Sequence, residues 1–577
     1  MSSGSSATGF FPHGADGSGN NGVYSPRARR PVNPAVERAF NEELRRGSAS
    51  MSSPMNRNSS GTGTPAPPED APPSVKATSA ARRELRRKQR MFPTIEYRSR
   101  LSYFDPNSDY TNFRGFFVLF WIGLAVMAIT AMTRSWKDTG NLLSFRQWPL
   151  FTQNIGELAA SDLLMVGSTT ITLPMHRLYK NSRGLLSWNG GGMILQILFQ
   201  AGWLAFWIGW PFMRDWTWTA QVFLTLHILV LFMKMHSYAF YNGHLSSTLN
   251  RLQQLDLPIG PTTPMNSAVR YRTSLPDYTT QPSANPITNI HIAHTEAEHD
   301  QLPPVLQLRE DLAIELTSPM GNTSYPANLT WANYFDYLLC PTLCYELEYP
   351  RMSSRSYAEL FYKTLAVFGC IFLLTLTSDE FILPVLETSQ ARLHPPATIT
   401  NTLMPPHITQ AEKALIFAET VSSLLFPFLI TFLLTFLTIF EYALGAFAEI
   451  TLFADRHFYS DWWNARDWLE FSREWNLPVH NFFRRHVYSA SQTSGCVSRP
   501  AATALTFFVS AVAHELVMGC ITRKFRGYGF FFMMLQIPFV AVQRLEWVRK
   551  RTLLNNVIFW VCMIMGLSLL CALYVLV

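Results

Sequence analysis

Apolar runs of about 18 to 25 residues, separated by polar segments, recur along the chain. A helix needs about 20 apolar residues to cross a bilayer, so each run predicts a membrane-spanning helix. The fold class that follows is an all-α polytopic membrane protein. We expect nine spans, at about 114–133, 158–176, 191–212, 217–238, 357–377, 413–438, 501–521, 527–543 and 553–577.

Two segments depart from this pattern. The second span is interrupted by Glu157, Asp162 and Pro174, so we expect it to be short or covered by its neighbours. After the sixth span, residues 440–459 are apolar but carry four charged residues, and the chain is not expected to leave the membrane cleanly. Irregular or charged segments are tolerated at membrane depth only inside protein. This stretch therefore predicts a buried interfacial or re-entrant element.

Polar regions lie outside the spans. Residues 1–95 are rich in Ser, Gly and Pro and are predicted to be a disordered cytosolic region without a signal peptide. The basic sequence ARRELRRKQR near its end favours a cytosolic N-terminus under the positive-inside rule. Within the membrane domain, residues 96–577, a Pro/Thr/Ser-rich stretch at about 245–330 predicts a flexible cytosolic insert. Its sequons at Asn322 and Asn328 should then carry no glycan.

The composition also indicates a membrane protein, and it argues against nucleic-acid binding and a disulfide framework. Charged residues make up 15% of the chain and hydrophobic residues 48%, whereas soluble proteins average about 25% charged. The net charge of +7 comes from Lys and Arg between apolar runs, which argues against nucleic-acid binding. Seven scattered cysteines show no disulfide framework. Because His480 and His486 would lie about 240° apart on a helix, we expect no metal site.

Helical spacing returns after Asp461. Asn464, Trp468, Phe471 and Trp475 follow one face of an α-helix. This face predicts an amphipathic helix against the membrane or the helix bundle, with Asn464 at the end of the buried stripe.

Pro478 should end that helix and begin another. In the next helix His480, Arg484 and Tyr488 recur every four residues and share a face. A base, a guanidinium and a phenol on one accessible surface can hold phosphates. An ordinary interfacial helix, with its Arg side chain reaching to water, is the alternative.

An ionisable pair, His514 and Glu515, lies inside the seventh span. Such a residue is costly at membrane depth and marks a candidate functional site. Ser510 shares the face of His514, whereas Glu515 points about 100° away and should serve another contact. A neutral imidazole, with a pKa of about 6.5, can act as a general base. A structural histidine bridging two helices is the alternative, and Asn464 could orient a carbonyl or a leaving group.

Three motifs resemble one branch of the membrane-bound O-acyltransferase family. FYSDWWN resembles the FYxDWWN motif of that branch, CPTLCYELEYPR resembles its PTLxYxxxYPR signature, and the buried His–Glu pair resembles the region of its catalytic histidine. The branch holds sterol and diacylglycerol acyltransferases, and MKMHSYAFYNG and FSREWNLPVHNFFRRHVY favour the fungal sterol O-acyltransferases. The matching residues within FYSDWWN are Phe458, Tyr459, Asp461, Trp462 and Trp463.

The resemblance implies about nine transmembrane helices, with interfacial and re-entrant helices, around an intramembrane tunnel. It implies an endoplasmic reticulum enzyme, usually a dimer or higher oligomer, that transfers a long-chain acyl group from acyl-CoA to a sterol 3-hydroxyl. Acyl-CoA is then a co-substrate, and no cofactor is implied. By analogy, His514 is the base for direct attack on the thioester and Asn464 positions the reacting carbonyl. Positions corresponding to the CoA site are Asn476, His480, Tyr488 and Ser510, to which helical geometry adds Arg484.

Other functions stay open at this point. Diacylglycerol as the acceptor would use the same mechanism and give triacylglycerol. A transporter or channel could instead use His514 and Glu515 as a proton relay, and would work without consuming acyl-CoA. A labelled acyl-CoA assay that offers both lipid acceptors separates these hypotheses.

Overall fold

The structure is a computed structural model of the 577-residue chain. It describes residues 95, 97–105, 114–142, 147–182, 184–255, 304–318, 321–394, 408–493 and 497–577. The predictions for residues 1–94, which include the basic cluster, and for the middle of the insert lie outside the described residues.

Helices dominate the described chain, which contains no β-strand apart from isolated bridges, so the all-α prediction is confirmed there. We number the longer helices in chain order. They are α1 Gly115–Thr139, α2 Ile155–Asn181, α3 Trp188–Met213, α4 Trp218–Leu255, α5 Pro304–Glu315, α6 Trp331–Leu339, α7 Tyr357–Leu393, α8 Gln410–Thr451, α9 Trp468–Glu474, α10 Leu477–Phe482, α11 Arg499–Thr522, α12 Tyr528–Gln543 and α13 Thr552–Leu576.

Within the described residues, eight helices are long and apolar enough to cross a membrane. They are α1 to α4, α7, α8, α11 and α13. The remaining predicted span corresponds to α12, a shorter apolar helix of 16 residues.

The weak second span is not short. It forms α2, which is 27 residues long, and its two acidic residues are paired. Asp162 lies 2.6 Å from Nδ1 of His227 on α4, and Glu157 pairs with Arg214. Pairing offsets the cost of carrying these carboxylates in a membrane helix, which explains why the charges do not shorten it.

Helix α8 does not end where its apolar run does. It passes through a π-helical turn at Leu437–Ala443 and continues to Thr451, so it is longer than the predicted span of about 413–438. A π turn widens the helix by one residue and changes which side chains face inward. Here it carries Glu441 into the protein interior, where this side chain is 6% exposed.

The prediction that the charges after the sixth span are buried in protein is confirmed. Glu449, Asp455 and Arg456 are each no more than 4% exposed. Arg456 pairs with Glu449 and, at 2.9 Å, with Glu359 of α7. Buried ions of opposite sign neutralise one another, which makes such a segment tolerable at this depth.

The chain divides into two compact units. One comprises residues 1–55 and 252–322, and α5 is its main described helix. The other comprises residues 56–251 and 323–577, and it contains the candidate site described below. Helix α4 extends to Leu255, beyond the predicted start of the flexible insert at about 245, and α5 lies within the predicted insert.

The predicted helix from Asp461 is also shorter than expected. Residues Trp462–Asn464 form a single 3-10 turn, and α9 starts only at Trp468, capped by Asp467, whose side chain accepts a bond from the Glu470 backbone amide. The aromatic face itself is confirmed, since the rings of Trp468, Phe471 and Trp475 pack in sequence. Asn464 precedes this helix and is exposed, so its predicted place on the buried stripe is wrong.

Candidate active site

His514 lies near the middle of α11 and is bonded to its own helix. Its Nδ1 atom lies 2.7 Å from the carbonyl oxygen of Ser510 and 3.5 Å from the Ser510 hydroxyl. A carbonyl oxygen can only accept, so Nδ1 carries the proton of the neutral ring. Nε2 is then unprotonated and can accept a proton from a substrate. The predicted shared face of Ser510 and His514 is confirmed.

The side chain of His514 is exposed, although α11 is long and apolar enough to cross a membrane. A packed core residue would be inaccessible. The imidazole is therefore open to a substrate, as a candidate base requires.

Glu515 has a different role from its neighbour. Its carboxylate accepts bonds from the backbone amides of Gly527, at 2.7 Å, and Phe530, at 3.1 Å. It also accepts a 2.9 Å bond from the Tyr574 hydroxyl on α13. The carboxylate thus satisfies the free amides at the start of α12 and joins three helices. The prediction that Glu515 serves a contact other than that of His514 is confirmed.

The FYSDWWN motif ends in an exposed turn that presents Asn464. The Asn464 backbone amide donates to the Asp461 carbonyl at 2.9 Å, and its side-chain amide lies 3.5 Å from the Asp461 carboxylate. Within the described residues no hydrogen bond joins Asn464 to His514. The two predicted catalytic side chains therefore each remain available to a substrate.

The other motif residues anchor this turn. Phe458, Tyr459 and Trp462 are buried, and the Trp462 ring packs against Phe436 of α8 with ring centroids 5.0 Å apart. Trp463 contributes its backbone carbonyl, which accepts a bond from the Trp560 indole at 3.2 Å. The motif is therefore mainly a rigid aromatic support for the segment around Asn464.

One anchor of the motif is a buried polar cluster that the sequence did not indicate. Glu441 accepts hydrogen bonds from the hydroxyls of Ser102 and, at 3.0 Å, Tyr459. Lys363 of α7 lies 3.2 Å from the same carboxylate and neutralises it. Gly445 makes room for this lysine, because a Cβ atom there would come within 2.9 Å of the Lys363 side chain.

The predicted phosphate-binding face is partly assembled. His480 lies near two exposed arginines, Arg484 and Arg473. Burial, and then the positive charges of Arg484 and Arg473, lower the pKa of His480 to about 4, so the ring is neutral at cellular pH. Asn476 accepts a 3.1 Å bond from the Val479 backbone amide as the cap of α10. This surface can offer two guanidinium groups and a neutral imidazole to an anion.

The spacing assumed for Tyr488 does not hold. After Phe482 the chain is π-helical over Phe483–Ser489, so residues four apart are no longer in register as they are in an α-helix. The Tyr488 hydroxyl instead accepts a 3.2 Å bond from the Gln492 side chain. His480 therefore lies near Arg484, as expected. Tyr488 lies on the wider π-helical turn, which packs against α11.

Sequence periodicity did not identify Arg485, because its neighbour Arg484 fits the α-helical spacing better. It is 1% exposed, pairs with Glu346 and donates a 2.9 Å bond to the Tyr345 carbonyl. Both partners belong to the CPTLCYELEYPR motif, so this arginine ties that motif to the segment after α10. A pair of arginines in sequence, one exposed and one buried, could not be resolved from periodicity alone.

The described residues contain no group of His, Cys, Asp or Glu side chains arranged to hold a metal ion. The side chains at the site are a neutral base, amides and guanidinium groups.

Comparison with known proteins gives the same motifs a family context. Residues 132–576 match the model of the membrane-bound O-acyltransferase family. The chain is similar to "Probable sterol O-acyltransferase 2" of Schizosaccharomyces pombe, with 35% identity over 498 residues, which is 85% of this chain and 94% of that protein. It is also similar to "Sterol O-acyltransferase 2" of Candida albicans, with 33% identity over 483 residues, 80% of this chain and 75% of that one.

A more limited similarity extends to an enzyme named for another acceptor. "Diacylglycerol O-acyltransferase 1" of Dictyostelium discoideum is 31% identical over 258 residues, 44% of this chain and 38% of that protein. Similarity to the proteins named as sterol acyltransferases thus covers about twice as much of the chain.

Proposed function

The chain belongs to the membrane-bound O-acyltransferase family, and from this premise we propose that it esterifies the 3-hydroxyl of a sterol with a long-chain acyl group from acyl-CoA. Two proteins named as sterol O-acyltransferases match at least 80% of the chain, which supports a sterol as the acceptor. The steryl ester has lost its polar handle and would partition into the membrane interior for storage. The observation that carries the proposal is the accessible His514, whose Nδ1 is bonded to a carbonyl and whose Nε2 is free to act as a base.

The proposed reaction needs one base and no covalent enzyme intermediate. Nε2 of His514 takes the proton of the sterol hydroxyl while the sterol oxygen attacks the thioester carbonyl carbon. The new C–O bond forms, the C–S bond breaks, and the CoA thiolate leaves. The imidazolium then returns its proton to the thiolate sulfur. While the ring is positively charged, the Ser510 carbonyl stabilises it, because this oxygen accepts a hydrogen bond from the Nδ1–H group throughout the reaction.

Asn464 is proposed to orient the thioester. Its amide can donate a hydrogen bond to the carbonyl oxygen, where negative charge develops during attack. A rigid turn serves this purpose, because a donor held in place before reaction loses little free energy in reorganising. A site within the bilayer would also keep water from the thioester, which limits hydrolysis.

The polar end of acyl-CoA is proposed to bind at the face of His480, Arg473 and Arg484, with Asn476, Tyr488 and Ser510 as further contacts. Phosphates favour paired guanidinium groups. Burial of His480 keeps its ring neutral until an anion arrives. The segment after α10 packs on α11, so this face and His514 belong to adjacent elements.

We further propose an endoplasmic reticulum location, a cytosolic N-terminus and a dimer or tetramer as the working form. No cofactor or metal enters the proposed reaction, since acyl-CoA supplies the activated acyl group. A cytosolic N-terminus would place the phosphate-binding face toward the soluble pool of acyl-CoA.

The acceptor is tested with the purified full-length protein and labelled oleoyl-CoA, offering cholesterol or ergosterol in one arm and diacylglycerol in the other. Labelled steryl ester with little triacylglycerol is expected. Ester formed only on diacylglycerol would establish the second candidate, which the similarity to the Dictyostelium protein keeps in view. Proton-coupled transport without acyl-CoA turnover would refute both.

A further inference from the structure

The two carbonyl groups that flank Asn464 in the chain are held by one side chain from the last membrane helix. Asn556, in the second turn of α13, donates to the Trp463 carbonyl at 3.1 Å and to the Ala465 carbonyl at 3.0 Å. Both acceptors are oxygens, so the side-chain nitrogen is the donor at both and the amide orientation is unambiguous. Its two N–H groups are both in use.

A second side chain on the same face of α13 strengthens this contact. Trp560 lies one helical turn after Asn556 and donates its indole N–H to the Trp463 carbonyl at 3.2 Å. The same indole packs against Trp462 with ring centroids 5.7 Å apart. The helix therefore holds the motif turn through both polar and aromatic contacts.

Asn556 and Trp560 bond to the backbone of the residues next to Asn464. The geometry of this part of the turn sets the direction of the Asn464 side chain. The turn's own bonds are two short backbone contacts, from Asn464 to Asp461 at 2.9 Å and from Ala465 to Trp462 at 3.0 Å. The Asn464 side chain is exposed, and its nearest partner is the Asp461 carboxylate at 3.5 Å. The turn thus bonds the N–H of each peptide plane beside Asn464. Asn556 adds a bond to the carbonyl of the first of these planes and one to the carbonyl of the plane that follows Ala465, so both ends of the turn are tied to α13.

We propose that Asn556 is a positioning residue, which holds Asn464 in the orientation that it needs to bind the reacting carbonyl. The inference rests on the proposed acyl transfer, and it adds a residue of α13 that acts on the reaction only through Asn464. Losing such support would leave substrate binding largely intact and slow the chemical step, because a displacement of about 1 Å can cost on the order of 100-fold in rate.

The chain offers a matched control in the adjacent residue. Asn555 is 2% exposed, and its side-chain amide also donates to a backbone carbonyl, that of Val548, at 2.9 Å. Its acceptor lies in the short connection between α12 and α13, not in the motif. Asn555→Leu and Asn556→Leu therefore each remove a hydrogen-bonded amide from the same helical turn, and only the second loosens Asn464.

The experiment compares the full-length protein and both variants in detergent, with labelled oleoyl-CoA and a sterol. Asn556→Leu should lower kcat by roughly 10- to 100-fold, since misplacing a reacting group by about 1 Å can cost on the order of 100-fold, and leave KM for oleoyl-CoA within about twofold. Asn555→Leu should keep kcat within about twofold of the wild type, although both variants lower the melting temperature. Asn556→Gln retains two N–H donors and should recover part of the loss. If Asn556→Leu does not accumulate, Asn556→Gln and Asn555→Gln are compared in the same way, with the larger loss of kcat expected in the former.

The outcomes separate the two proposals. Wild-type protein that makes no ester overturns the proposed function and the positioning role with it. Wild-type turnover with equal kcat in the Asn555 and Asn556 variants overturns the positioning role alone. An Asn556 variant that changes KM and leaves kcat unaltered would do the same, since it would place this residue in substrate binding.

Discussion

His514 Nδ1 lies 2.7 Å from the carbonyl oxygen of Ser510, one helical turn earlier in α11. The helix itself therefore fixes the tautomer of the ring, with no carboxylate partner needed. The adjacent carboxylate, Glu515, is committed to α12 and α13. This arrangement places the entire base function on one atom, Nε2 of His514.

Replacing His514 by Ala should lower kcat by at least about 100-fold, since a general base contributes roughly 10²- to 10⁴-fold. Ser510→Ala keeps the backbone carbonyl and hence the tautomer, so its kcat should stay close to that of the wild type. Any effect of that variant should fall on KM for acyl-CoA, because the hydroxyl is a proposed CoA contact. Initial rates with labelled oleoyl-CoA measure both. Normal turnover by the His514→Ala enzyme would remove His514 from the mechanism.

Glu515→Leu should act mainly on stability. It leaves the amides of Gly527 and Phe530 and the hydroxyl of Tyr574 without their acceptor, and each buried unsatisfied group costs about 1 to 3 kcal/mol. Tyr574→Phe removes one of these bonds and also the acceptor of the Gly529 amide, so it should destabilise the protein less than Glu515→Leu, by about 1 to 3 kcal/mol. Thermal melting of the purified proteins tests this order. A Glu515 variant as stable as the wild type would contradict it.

The pH dependence of stability should reveal the burial of His480. Its pKa is about 4 in the folded protein, below the ordinary value of about 6.5, so the unfolded chain binds more protons at acidic pH. The contribution of the neutral ring is complete above about pH 6.5 and is lost as the pH falls toward about 4. His480→Gln should therefore lose less melting temperature than the wild type between pH 7 and pH 5.

Exposed His394 provides the control for that comparison. His394→Gln should follow the wild-type pH profile. If the melting temperature depended equally weakly on pH in both variants, the effect would not be specific to the CoA face. The same His480 variant should also raise KM for acyl-CoA, because the ring is proposed to approach its phosphates.

Only one of the two sequons, Asn322, is accessible enough to report on which side of the membrane the loop lies. The Asn328 side chain is 1% exposed and donates to Asn242 at 2.7 Å and to the Tyr345 hydroxyl at 3.0 Å. It should carry no glycan on either side of the membrane once folded. Asn322 is exposed, so glycosidase treatment of an Asn328→Gln protein expressed in eukaryotic cells tests the side of the loop. A shift in mobility would place that loop in the lumen and refute the proposed cytosolic N-terminus.

Sequence periodicity located His514 and Ser510 correctly because α11 is a regular helix, in which spacing determines the shared face. It placed Asn464 and Tyr488 wrongly where the backbone is a 3-10 turn or a π-helix, since an α-helical period does not apply there. Contacts between distant parts of the chain, such as Asn556 with the carbonyls around Asn464, leave no periodic signal at all. The membrane class and most spans could be predicted because apolar length is a local property.

The buried pair of Lys363 and Glu441 should be the most sensitive ionic contact between α7 and α8. Their side chains are 8% and 6% exposed and 3.2 Å apart, and Glu441 also holds Tyr459 of the motif. Lys363→Met leaves a carboxylate buried without its cation, which typically costs about 3 to 5 kcal/mol.

Adding Glu441→Gln to Lys363→Met removes the second charge while keeping an oxygen that can accept from Tyr459, so the double variant should be more stable than the single one. Arg392 and Glu419 form the matched control, since this pair joins the same two helices at 2.8 Å but is 45% and 56% exposed. Exposed pairs contribute about 0 to 1 kcal/mol, so Arg392→Met should hardly change the melting temperature. Size-exclusion chromatography after heating measures all three variants. Equal losses for Lys363→Met and Arg392→Met would show that burial does not set the strength of the Lys363–Glu441 contact, and a double variant no more stable than Lys363→Met would show that the unpaired charge is not the cause of the loss.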